Sequence, residues 1–392
     1  MKSILRRGIS VRLHCLCAAL LFAALPAAAQ QPSEEPVVDA AEEKLPAESW
    51  DPQVVLHGYG TWAYGKTDGN HYTVGDEDGD YQDSEVAINV TATPVRNLAI
   101  HVQLAVESED AETEALADYA FGEWRFSDAL RLRLGQVQQP FGLYAEIFDV
   151  GTLRPFVTLP QSIYGPSGVV SESYKGAGLT GYRQSASGWG LSYDLYAGGL
   201  KVFEENPATF LEGEGEDADL VRDVVGGRIV LQVPSTDLSF GFSALAGTNE
   251  NESESRNSSF GLQVQYLTDV WWIRSEEVLH EDQGEHKLKA GYVEVARFLT
   301  PHWQIAGRFD RLSTEREENV EDLPEDLFDH REAALGINYW FNTHLVVKLS
   351  VHDVKGNAFA LPKDPEELRD ALARGDLEKE TRLVAFGANF TF

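Results

Sequence analysis

The side chains best placed to do chemistry are charged residues that occupy every second position between apolar ones. The basic set is Arg131, Arg133, Lys175, Arg183, Arg228, Lys287, Lys289, Arg308 and Lys348. The acidic set is Glu85, Glu107, Asp118, Asp194, Asp310 and Glu332. A period of two sends alternate side chains to opposite faces of a strand, so both sets are expected on one wet face. Fixed charges of both signs along a water-filled wall solvate ions and polar solutes. They create a transverse field more than a filter of one sign. The expected outcome is weak cation preference or little selectivity, with plain solvation of the lumen as the simpler alternative.

Bond-breaking chemistry has less support. His57, His101, His280, His302 and His352 are scattered, and no Gly-x-Ser-x-Gly nucleophile motif occurs. No enzyme activity is expected. The run Asp76-Glu77-Asp78-Gly79-Asp80 has the carboxylates a hard cation prefers, but it lacks EF-hand spacing. It reads as a solvated loop that at most bridges divalent cations weakly. No metal or cofactor is expected.

The elements that must carry these residues read as strands. Ile100, Val102, Leu104 and Val106 alternate with His101 and Gln103; Leu345, Val347, Leu349 and Val351 alternate with Lys348 and Ser350. Such segments are about 9–12 residues long, the length with which a tilted strand crosses a bilayer. Sixteen begin near residues 53, 82, 98, 115, 130, 175, 188, 222, 237, 257, 269, 286, 302, 330, 344 and 381. Those near 188, 269 and 286 slip out of phase. Links after even strands are a few residues; links after odd strands are mostly longer, at about 65–81, 108–114, 140–174, 199–221, 248–256, 280–285, 314–329 and 356–380. A soluble β-sandwich has no reason to sort its loops in this way. The expected fold is all-β: a transmembrane antiparallel up-and-down β-barrel of about 16 strands with short periplasmic turns and long extracellular loops. In hydrocarbon every backbone polar group must be paired, so the sheet must close and the last strand must meet the first, Val54–Tyr59 against Arg382–Phe392.

Residues 1–29 read as a signal peptide. Lys2, Arg6, Arg7 and Arg12 precede an apolar run from about Leu16 to Leu25, then Pro26 and Ala27–Ala29. The run is about half of what a spanning helix requires, which argues against an anchor. Cys15 and Cys17 both lie in the signal segment, so the remainder has no cysteine, and its charge moves from −31 to −35 once the four basic residues go. That charge disfavours nucleic acid as a partner. Residues 30–52, rich in Glu, Pro and Ala, read as a disordered acidic periplasmic tail, and 53–392 as the barrel. The segment Asp364-Pro365-Glu366-Glu367-Leu368, with Gly375 beyond, carries the signature of a short helix. Aromatic clusters at Tyr59-Trp62-Tyr64, Trp124-Phe126 and Tyr339-Trp340-Phe341 are expected in interfacial girdles.

The longest loop, about 140–174, is expected to fold inward as a constriction, with Phe141, Tyr144, Glu146, Asp149, Arg154, Phe156, Tyr164 and Glu172 as its candidate residues; a loop lying over the mouth is the alternative. The stretch Arg133-Leu134-Gly135-Gln136-Val137-Gln138-Gln139-Pro140-Phe141-Gly142-Leu143 resembles the strand-to-loop junction of the phosphate-selective porin O/P family. That resemblance implies a 16-stranded trimeric barrel whose third loop enters the pore. Phosphate selectivity is not expected, because the dense basic run of that family is replaced here by mixed charges. The whole reads as an outer-membrane porin of a Gram-negative bacterium for small polar or charged solutes. A closed or adhesive barrel is the alternative. The expected partners are outer-membrane lipid and lipopolysaccharide, the barrel-assembly machinery acting through Phe392, and two further copies of the chain in a homotrimer.

Overall fold

The computed structural model describes residues 50–81, 84–109, 112–166, 169–202, 207–212, 219–249, 256–282, 286–316 and 323–392. The signal peptide and most of the acidic tail lie outside these residues. Trp50 lies within them, and its indole nitrogen donates to the carbonyl of Thr93 at 2.9 Å.

Sixteen long strands close into an antiparallel barrel. In chain order they are β1 (Gln53–Thr67), β2 (Ser84–Val95), β3 (Leu98–Glu109), β4 (Glu112–Ser127), β5 (Leu130–Gln138), β6 (Ser173–Gln184), β7 (Gly190–Val202) and β8 (Asp219–Gln232). The second half comprises β9 (Leu238–Asn249), β10 (Arg256–Leu267), β11 (Trp271–Asp282), β12 (His286–Phe298), β13 (Trp303–Arg316), β14 (His330–Asn342), β15 (Leu345–Lys355) and β16 (Glu380–Thr391). Each begins within about three residues of its expected start, because apolar alternation marks where the chain enters the membrane. β3 and β4 run on past the expected loop at 108–114, to Glu109 and from Glu112. A two-residue segment, Gly75–Asp76, pairs with β1 inside the loop that follows it.

Each strand pairs with its chain neighbours, and β1 pairs with both β2 and β16. The closing register differs from the expected one. Tyr59–Thr67 meet Thr391–Leu383, and Gly58 exchanges two backbone bonds with Phe392 at 3.0 and 2.9 Å. Residues Gln53–His57 pair with β2 alone. A barrel closes only when its strands tilt and stagger, which offsets the first strand along the last.

The outer face is apolar. Val86, Ile88, Leu104, Phe242, Leu262, Phe309, Leu335 and Phe386 are all exposed on it. Trp124, Phe126, Trp189, Trp271, Trp303 and Phe341 sit exposed beside the short turns, as an interfacial girdle requires. Tyr59 and Trp340 do not join the girdle; both are buried on the lumen side, because an odd step along the strand turns them inward.

Among the described residues three short α-helices belong to the loops: α1 (Gln161–Tyr164), α2 (Pro207–Glu212) and α3 (Pro365–Arg374). α3 has the expected caps. Asp364 accepts from the Glu366 N–H at 2.8 Å, Pro365 opens the helix, and Gly375 closes it at φ 72°. Its Leu368 packs with Leu327 and Phe328 in a small apolar cluster that α2 also reaches through Phe210 and Leu211.

Candidate functional site: the luminal loop and the passage beside it

The loop between β5 and β6 enters the barrel. Its base is clasped where the Gln139 N–H donates to the Glu172 carbonyl at 2.9 Å. Gln139 also donates through its side chain to Tyr196 Oη at 3.1 Å and accepts from the Ser171 N–H at 2.7 Å. The next turn depends on Gly142, at φ 67°. A Cβ there would lie 2.3 Å from Tyr164 Oη and 2.6 Å from Glu276 Oε1. In the space left, the Gly142 N–H donates to Ser243 Oγ at 3.1 Å, and the Leu143 N–H donates to Glu276 Oε1 at 2.8 Å.

From there the loop runs along the inner wall of β8–β16, held by buried side chains. Tyr164 and Tyr292 donate to Glu276 Oε2 at 2.5 and 2.7 Å. Tyr144 donates to Glu294 at 2.5 Å and accepts from Arg274 at 2.8 Å. Arg274 also reaches the Leu153 carbonyl at 3.0 Å. Lys348 Nζ donates to the carbonyls of Gly151 (2.6 Å), Arg154 (2.8 Å) and Phe156 (3.2 Å). Arg308 donates twice to Thr158, at 2.8 Å each, and to Glu332 at 2.9 Å. Ser162 donates to Asp310 through its backbone at 3.1 Å and through its hydroxyl. Buried ions of this kind survive because each finds a counter-charge or several hydrogen bonds. Phe141, Tyr144, Phe156 and Ile163 are completely buried between loop and wall. Phe156 fits because Gly336 has no side chain beneath it; a Cβ there would sit 3.1 Å from its ring.

The opposite wall, β2–β5, is covered only in part: Val150 packs against Tyr59, Ala87 and Ala105, and Asp149 reaches Gln103 at 3.4 Å. Arg131, Arg133 and Glu146 keep side-chain exposures of 34, 21 and 33 %, against 0 % for Arg308. Solvent therefore reaches the lumen in a passage between the loop and β5, beside Arg131, Arg133 and Glu146. Glu85, Glu107 and Glu114 are cross-strand neighbours on its wall, one row of three carboxylates. Like charges facing each other across strands cost stability. Beside them, Tyr59 donates to Glu85 at 2.6 Å, and Gln103 Nε2 lies 2.9 Å from Tyr59 Oη, 2.5 Å from Asp118 and 3.4 Å from Asp149. On the other side Arg131 and Arg133 hold Glu123 at 3.4 and 2.9 Å, and Arg228 bonds Glu146 and Asp194, the latter at 3.1 Å. Glu172 is partly open to solvent at the base of the loop. Enclosure by protein, together with Asp149, Glu107 and Asp118 close by, pushes its carboxyl up to about 8.

Most of the charged residues read from the sequence thus face the lumen, but they divide between two duties. Asp310, Glu332, Arg308 and Lys348 anchor the loop. Arg131, Arg133, Arg228, Glu85, Glu107, Asp118 and Asp194 border the passage or the loop's near edge. Four placements need correction. Lys175, Arg183, Lys287 and Lys289 share the outward parity of their strands: Lys175 pairs with Gln136, Arg183 with the exposed Leu191, and Lys287 and Lys289 follow the outward Val293. Lys287 and Lys289 are 55 and 58 % exposed and pair there with Glu281 and Glu315. Charges are tolerated outside near strand ends because they lie beyond the hydrocarbon.

Sequence reading missed Arg274, Glu276, Glu294, Gln103 and Tyr59. Strict alternation from Trp272 through Arg274, Glu276, Val278 and His280 would have placed the first two inward. The loop residues Glu146, Asp149, Arg154 and Glu172 do lie in the lumen. Arg154 turns back to donate to the Phe148 carbonyl at 2.8 Å.

No protein-family model matches the chain, and no curated protein sequence matches it. Solved structures do. The outer membrane channel DcaP of Acinetobacter baumannii shares 8 % identity at a TM-score of 0.58, over 87 % of this chain and 97 % of that one. The anion-selective porin from Comamonas acidovorans shares 11 % at 0.54, over 87 % and 100 %. The Salmonella typhi OmpF complex with daunomycin shares 11 % at 0.56, over 86 % and 97 %. The fold is that of the outer-membrane porins. With its closed sheet, apolar belt and aromatic girdle, this porin-fold chain is a protein of the cell outer membrane.

Proposed function

We propose that the chain is a porin: a passive channel for small polar or charged solutes with a weak preference for cations. The observation that supports this reading is the solvent-reached passage beside the loop. Its acidic groups, Glu85, Glu107, Glu114, Asp118, Asp149 and Glu172, outnumber the cations beside them, Arg131, Arg133, Arg154 and Arg228. The junction before the loop supports kinship with the phosphate-selective porin O/P family in architecture, and the charges argue against its anion selectivity. Reversal potentials of the reconstituted protein across a KCl gradient are expected to show modest K⁺ preference. Strong Cl⁻ preference would overturn the proposal. Release of small sugars from liposomes separates an open channel from a closed or adhesive barrel, which would retain them.

The cation preference is expected to grow with pH. A carboxyl raised to about 8 is protonated over most of the neutral range and gains its charge as pH rises through that value. The groups around Glu172 are Asp149, Glu107 and Asp118, all acids, so each deprotonation adds to the same sign. Reversal potentials at pH 6 and pH 9 test this; a preference that stays flat or falls counts against it.

Catalysis is not part of the proposal. Ser350 Oγ lies 2.8 Å from His352 Nε2, and His352 Nδ1 lies 3.3 Å from Glu332, the spacing of a hydrolase triad. All three are buried behind the loop, and Glu332 is already bound to Arg308. The group reads as part of the loop's anchorage. The proposal extends to a homotrimer, with the small exposed Ala115, Ala117 and Ala120 of β4 offering a flat outer face, and to lipopolysaccharide and the assembly machinery at Phe392 as partners.

A further inference from the structure

A recess of about 430 Å³ opens between the luminal loop and the first extracellular loop. That volume is within the range of small-molecule sites. One side is hydrocarbon, with Phe148, Val157, Leu159 and Val170 on its lining. Arg154 and Glu172 are the two charged groups on it. They are not equivalent. The Arg154 guanidinium donates to the Phe148 carbonyl, and Asp149 and Glu85 stand near enough to offset its charge. Glu172 accepts no hydrogen bond through its carboxylate from any described residue, and the charged groups around it, Asp149, Glu107 and Asp118, are all acids. A second oxygen nearby is also unanswered: Asp118, 9 % exposed, has Oδ1 buried with no partner among the described residues. A carboxylate such as Glu172, left without a counter-charge beside an apolar wall, lowers the free energy of a positive group that brings hydrocarbon with it.

We propose that this recess is a binding subsite for a small organic cation with an apolar body. Its ammonium sits on Glu172, and its hydrocarbon or aromatic portion lies against Phe148, Leu159 and Val170. The subsite deepens the channel reading by naming the class of solute retained; it rests on that reading for access alone. An anion meets the carboxylates first and is repelled, while a neutral analogue keeps only the apolar contact.

The test uses the full-length protein with three probes of one shape: 2-phenylethylammonium, 2-phenylethanol and 3-phenylpropionate. Binding is followed at pH 9, where Glu172 carries its charge, by intrinsic fluorescence titration in detergent and by current block in planar bilayers. The ammonium is expected to bind and block best, the alcohol weakly and the carboxylate least. Glu172→Gln, which keeps the shape, is expected to weaken the ammonium about tenfold and leave the alcohol unchanged, as loss of a charge-assisted contact does. Val170→Trp, which fills the recess, is expected to weaken both. Equal affinity for ammonium and alcohol, or an unchanged Glu172→Gln variant, overturns the subsite. The two readings fail separately. A barrel that binds the ammonium but passes no current loses the channel and keeps the subsite. One that conducts without binding the ammonium keeps the channel and loses the subsite.

Discussion

Arg308→Ala is expected to destabilise the folded barrel by about 3–5 kcal/mol, the usual cost of removing one partner from a buried ion pair. Arg308 is fully buried, holds Glu332 at 2.9 Å, stands 3.8 Å from Glu294 and carries the Thr158 turn of the loop. Its guanidinium also covers the Phe156 ring, with 4.7 Å to the centroid. Without it, Glu332 keeps the Tyr72 hydroxyl at 2.5 Å and the neighbouring His352 and His330, none of them a permanent charge. Arg308→Met should be nearly as costly, since length and grease do not replace a charge. The double variant Arg308→Met/Glu332→Leu should recover much of the loss, because an apolar pair needs no counter-charge. Urea unfolding in lipid vesicles, followed by the heat-dependent gel shift of folded barrels, measures this. A single variant with an unchanged midpoint removes the ion pair from the account of the fold.

Replacing residues 141–170 by a short Gly-Ser link is expected to raise single-channel conductance several-fold and flatten ion preference. The loop occupies the inner surface of β8–β16, and once it is gone water reaches Arg274, Glu294, Arg308 and Lys348. The barrel should still close, because Arg274–Glu294 and Arg308–Glu332 join neighbouring strands without the loop, at 3.6 and 2.9 Å. It should nonetheless be less stable. Removing Phe141, Tyr144, Phe156 and Ile163 takes away burial that contributes about 1.5–3 kcal/mol for each large apolar side chain. Conductance no different from that of the intact chain would mean that the loop does not limit flow.

How much of this was legible in the sequence depended on the range of the interactions. Strand positions were, because alternation is local and the bilayer sets its length; Leu345–Val351 announces β15 without reference to any other residue. The α3 caps were legible for the same reason. Parity was not always so. A charge outside near a strand end and a charge inside look alike in a sequence, which is how Lys175, Arg183, Lys287 and Lys289 came to be read as luminal. The closing register also escaped, since the stagger between β1 and β16 belongs to the whole cylinder and not to either strand. The loop's direction could be guessed from its length and aromatic content. Its partners could not: Tyr144 and Glu294, or Gly151 and Lys348, meet only because the sheet returns upon itself.

The clasp of Lys348 on Gly151, Arg154 and Phe156 joins positions 192 to 197 residues apart in the chain. Its other anchors on β11–β14 are also far downstream, more than a hundred residues away. During biogenesis the loop must therefore wait, undocked, until nearly all the hairpins after it have been laid down, and closing so distant a contact is entropically slow. The constriction is thus a latecomer on the assembly pathway: a half-built cylinder is a wider and leakier object than the finished one, and docking of the loop marks its completion.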